Sequence, residues 1–239
     1  MPGFLAFDFK ATYDAGRVGS SFMHDKVFWS AHMKIGLVIA AVAAIYILSL
    51  LAPLEVQTSL KKEDSWIELT TLAAYVAALI YILAYRLYAQ LKWIFWLIVL
   101  LAMRELDFDA RFTDAKITKW EFLLNPDISW LQTIYGFSLL AFGAFVAFKV
   151  ATVHLKNLLV EAKAASSCAM ASILAILAAA LSKLIDGPRR KFGYIGAELT
   201  DHSVIALQLL EEVLELSIPL FILVALTEYA TKIRRLGFS

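Results

Sequence analysis

Six apolar runs alternate with polar connections along the chain, at 34–53, 66–85, 91–110, 130–149, 157–185 and 204–229. Each is long enough for the roughly 20 helical residues that a bilayer crossing requires. The first run stops at Pro53, whose ring cannot continue a helix, and the polar stretch that follows ends at Ser65. Ser65 and Glu68 have the spacing of a capping box, which opens the second run. In the third run only eleven residues separate Lys92 from Arg104, so a helix of full length must continue through Glu105, Asp107 and Asp109. Asn125-Pro126-Asp127 is a turn signal before the fourth run. The fifth is rich in small residues, Ala164 to Ser167 and Cys168 to Ser172 among them, which suits close helix packing. Asp186-Gly187-Pro188 breaks it before the sixth.

The pattern predicts an all-α fold, a polytopic membrane bundle of six transmembrane helices preceded by an interfacial segment. Residues 1–33 form that segment, with Phe4, Leu5, Phe7, Phe9, Phe22 and Phe28 as its apolar contacts and Trp29 as an anchor. Residues 34–229 form the membrane domain and 230–239 a basic tail. Composition agrees: 61% of the 239 residues are apolar and 18% charged, against about 45–50% and about 25% in a soluble domain. A net charge of +1 without dense basic runs gives no footprint for nucleic acid. One cysteine, Cys168, provides neither a disulfide nor a CxxC metal site. Six spans place both termini on one face, and the tail residues Lys232, Arg234 and Arg235 assign that face to the cytoplasm of a plasma (inner) membrane.

The last run carries the chemistry. Glu211, Glu212 and Glu215 lie inside it, where a charged side chain costs roughly 2.5–3.5 kcal/mol even on a lenient scale. With Asp201 and Gln208 they form one polar stripe at helical spacing. Helix direction then matters, because an even number of spans brings Glu68, Glu105, Asp109 and Asp186 to the same half of the membrane. Such a pocket predicts an enzyme that depends on a divalent cation and acts as a hydrolase or transferase on a lipid or lipid-linked anionic substrate.

Glu68, Glu211, Glu212 and Glu215 are the expected catalytic residues. Glu105, Asp109, Asp186, Glu211, Glu215 and His202 are the expected metal ligands, since hard oxygen donors suit Mg²⁺, Mn²⁺ or Ca²⁺ and an added histidine suits Zn²⁺. Arg104, Arg189, Arg190 and Lys191 lie near the same rim and are the expected head-group binders. Two other classes fit the same acids: a cation or proton transporter using the stripe, and an assembly subunit in which Arg104 and Lys183 lock the helices through ion pairs. No Gly-rich phosphate loop, HExxH motif or serine triad spacing occurs.

Overall fold

The computed structural model describes residues 21–60, 65–107, 128–194, 196 and 198–235. Among them lie eight helices: α1 Ser21–Leu51, α2 Leu54–Leu60, α3 Trp66–Ala84, α4 Tyr88–Glu105, α5 Trp130–Lys163, α6 Ser167–Ile185, α7 Pro188–Tyr194 and α8 Asp201–Arg235. No strand occurs among the described residues. Four helices are long and apolar enough to cross a membrane: α1 from His32 onward, α3, α5 and α6. The two long helices that supply the charged cluster, α4 and α8, are not among those four.

Helix ends follow local chemistry. The hydroxyl of Ser65 accepts from the Glu68 amide at 3.3 Å, and Ser129 does the same for Gln132, so α3 and α5 each start on a side-chain cap. Where α1 ends, Gln57 Nε2 turns back from α2 and donates to the carbonyls of Leu50 and Ala52, both at 2.9 Å. These are carbonyls that a helix terminus leaves without an amide partner. The ends of α3 and α5 are Schellman turns: Leu87 N reaches Ile82 O at 2.9 Å and Ser166 N reaches Glu161 O at 3.0 Å. Both turns need a left-handed residue, supplied by Arg86 (φ 55°) and Ala165 (φ 51°).

The second turn corrects the expected span boundaries. The run at 157–185 is interrupted at Ala164–Ser166, and the stretch 150–156, expected to connect two spans, is helix continuous with 157–163, so the helix begun at Trp130 does not end near residue 149. At roughly 50 Å, α5 exceeds the ~30 Å hydrocarbon thickness by several turns. The third run also differs from expectation: α4 begins earlier, at Tyr88, and ends at Glu105, with Asp107 left-handed (φ 42°) just beyond it. Of the acids expected on a continuing helix, Glu105 is its last residue, Asp107 lies beyond it, and Asp109 lies outside the described residues. At the other end, helix begins at Ser21, so 21–33 continue directly into the first run.

Helix α8 is the axis of the bundle. It packs most extensively on α6, then on α3 and α1, while α3 with α4, α4 with α5 and α5 with α6 close the outer wall. Ala169, Ala171, Ala175 and Ala178 are buried on α6, where their small size brings the two backbones close. Tyr75, Ile82, Ile98, Ala175 and Phe221 belong to one continuous apolar core. Leu48, Leu69, Ile80, Phe148 and Leu184 instead point outward and are exposed. Ion pairs hold α8 at its far end, Glu228 to Lys34 of α1 at 2.7 Å and Lys232 to Glu161 of α5 at 2.8 Å.

Candidate functional site

One carboxylate gathers three helices. Glu215 of α8 is 9% exposed, and its Oε1 accepts hydrogen bonds from Arg104 of α4 and from Ser182 Oγ of α6, the latter at 2.9 Å. Lys183 Nζ stands 3.5 Å from the same oxygen and 3.6 Å from Asp186 Oδ2. Arg104 is also 4.0 Å from Glu105. The arrangement follows from position in the helices: Arg104 is in the last turn of α4, Ser182 and Lys183 in that of α6, and α8 runs between them. A buried carboxylate with two cations and a hydroxyl is well compensated, and removing any partner strands charge in an apolar bundle.

Around this node the charges are uneven. Glu212 has Glu215, Glu211, Glu105 and Glu68 as its electrostatic neighbours. Among the described residues no cationic side chain forms an ion pair with Glu211 or Glu212. Glu211 has Asp186 as its strongest charged neighbour, and Glu105 lies within reach of Glu215, Arg104, Glu68 and Lys183. Helix α3 contributes Glu68 and, two turns on, Tyr75. The side chain of Tyr75 is fully enclosed, and its hydroxyl, near Glu105, Arg104 and Glu215, has no hydrogen-bond partner among the described residues.

Beside the cluster lies a cavity of about 500 Å³ between the end of α6, α7 and the start of α8, lined by Asp186, Arg189, Arg190, Val204 and Gln208 among others. Gly187 (φ 63°) makes the turn into it. The Arg190 guanidinium folds over that glycine, 3.5 Å from where a Cβ would stand. Arg189 is bound to Asp201, the first residue of α8. Lys191 Nζ donates to the carbonyls of Lys183 and Leu184, and so caps the C-terminus of α6.

The structure thus brings Glu68, Arg104, Glu105, Glu211, Glu212 and Glu215 together, with Asp186 beside Glu211. It does not add His202, which is exposed on the first turn of α8, and it engages Arg189 and Lys191 within the protein. Among the described residues no three His, Cys, Asp or Glu side chains group closely enough to hold a metal ion. Sequence reasoning missed Ser182 and Tyr75 as members. A signal for Tyr75 existed, since it stands seven residues after Glu68 on the same helical face; Ser182 has none, because a serine in an apolar helix usually bonds its own backbone. Comparison with protein-family models, with curated proteins and with solved structures returned no match.

Proposed function

We propose that the chain is an integral membrane protein of six spans, both termini on the cytoplasmic side of a plasma (inner) membrane, and that it is an enzyme acting on the anionic head group of a lipid or lipid-linked substrate. The observation that carries this reading is the juxtaposition of an arginine-lined cavity with carboxylates, Glu211 and Glu212, that form no ion pair among the described residues. Arg190 faces the cavity without an ion pair among the described residues, and Asp186 links the cavity wall to Glu211. An anionic group docked on Arg190 would place its neighbouring bonds toward Glu211 and Glu212, the general acid and base of this reading. Glu215, already neutralised by Arg104 and Lys183, positions α4, α6 and α8, and Glu68 closes the cluster from α3.

A divalent cation enters this reading as a partner of the substrate. Mg²⁺ keeps several waters and is commonly held by one or two carboxylates together with substrate phosphate oxygens, which needs no cage of three protein ligands. Zn²⁺ needs three or four protein ligands and is less well served by the described residues. Transport has less support. Between Ser217 and Thr227 α8 reads Ile-Pro-Leu-Phe-Ile-Leu-Val-Ala-Leu, so the polar stripe ends with an apolar stretch of roughly 15 Å ahead of it.

The test is a panel of anionic and zwitterionic lipids in nanodiscs carrying the purified protein, with Mg²⁺, Mn²⁺ or chelator, and mass spectrometry of the lipids. The expected result is one head-group class converted by the wild type, lost in Glu212→Gln, and turned over with raised KM in Arg190→Ala. Conversion by Glu212→Gln at the wild-type rate, or no conversion of any lipid by the wild type, overturns the reading.

A further inference from the structure

The enclosed hydroxyl of Tyr75 calls for a partner. A polar atom buried without a hydrogen bond is costly, and proteins meet that cost with a bound water where at least two polar groups converge. They converge here. Tyr75 Oη lies within electrostatic reach of the Glu105 carboxylate on α4, the Arg104 guanidinium and Glu215 on α8. Glu105 and Glu68 are in turn neighbours of Glu212. The other buried hydroxyls nearby are already engaged: Thr71 donates to Ile67 O at 2.9 Å, Ser217 to Leu214 O at 2.7 Å and Ser182 to Glu215. Tyr75 alone among these four lacks a partner among the described residues.

We infer that Tyr75 and Glu105 border an internal water site, so that the acidic end of the bundle is hydrated beside the Arg104–Glu215 pair. A water held by a hydroxyl and a carboxylate is also where general-base hydrolysis starts, although the site itself rests on geometry and not on the proposed activity.

X-ray radiolytic labelling read by mass spectrometry tests the inference on the whole wild-type chain in detergent or nanodiscs, because hydroxyl radicals formed from a bound water oxidise the aromatic ring beside it. Tyr75, at 0% exposure, is expected to be labelled several times faster than Phe221, buried at 5% in the apolar core, and to approach Tyr194, which is 82% exposed. Labelling of Tyr75 no faster than Phe221 overturns the site. A second measurement is independent of labelling: Tyr75→Phe is expected to lower the thermal midpoint, as loss of a bridged hydrogen bond requires. A raised midpoint, the mark of removing an unsatisfied hydroxyl, also overturns it.

Discussion

Replacing Arg104 by Met is the sharpest probe of the node that ties α4, α6 and α8 together. The substitution leaves the Glu215 carboxylate 9% exposed with Ser182 at 2.9 Å and Lys183 at 3.5 Å as its remaining partners. Breaking a buried ion pair by removing one member costs about 3–5 kcal/mol. Here the arginine side chain is 40% exposed and a second cation stays, so about 2 kcal/mol is expected. Glu215→Gln is milder, at about 1 kcal/mol, because the freed guanidinium can turn to water and to Glu105 while Ser182 can still donate to the amide oxygen. In the double variant the Glu215 charge is no longer stranded while Glu105 still loses Arg104, and the loss is about 2 kcal/mol instead of the additive value near 3 kcal/mol. The assay is SDS titration of the protein in mixed micelles, followed by far-UV circular dichroism and tryptophan fluorescence. Additivity within about 0.5 kcal/mol, or a larger loss in Glu215→Gln than in Arg104→Met, refutes the assignment of Glu215 as the charge that Arg104 compensates.

Three further outcomes use the same titration. Ala165→Gly should stabilise the protein by about 0.5–1 kcal/mol, since φ 51° strains an L-residue and glycine offsets only part of the gain by entropy; an unchanged midpoint would show the turn to be unstrained. Lys191→Met, which uncaps α6 at two carbonyls, should cost about 0.5–1 kcal/mol and accelerate amide hydrogen exchange in the last turn of α6, whereas uniform exchange would count against a capping role. Glu228→Gln should cost no more than about 1 kcal/mol, because Lys34 is 40% exposed, and should loosen α1 without disturbing α4 in exchange measurements.

Most of the helical plan was legible because bilayer-length apolar runs and caps are local signals. Ser65 with Glu68, Pro53 and Asp186-Gly187-Pro188 each marked a real terminus. The break at Ala164–Ser166 was not legible, because the left-handed position that ends α5 is an alanine, not the glycine by which such turns are recognised. The end of α4 at Glu105 escaped for a similar reason, with Asp107 and not glycine in the left-handed position. The expected bounds 91–110 are therefore offset from the helix Tyr88–Glu105.

The carboxylates divide in the same way. Sequence alone determined that Glu211, Glu212 and Glu215 share a stripe and that helix direction carries Glu68, Glu105 and Asp186 to their end of the bundle, since both follow from helical period and alternating direction. Which acid is compensated is a tertiary fact. Glu215 meets Arg104 only because α4 ends level with that turn of α8, and it meets Ser182 and Lys183 only because the alanine face of α6 lets the two backbones approach. Lys191 and Arg189 looked like free head-group binders in one dimension, and folding gave them a helix terminus and an aspartate instead. Charges interact across helices over a few ångströms, and that separation is set by packing, which no single helix encodes.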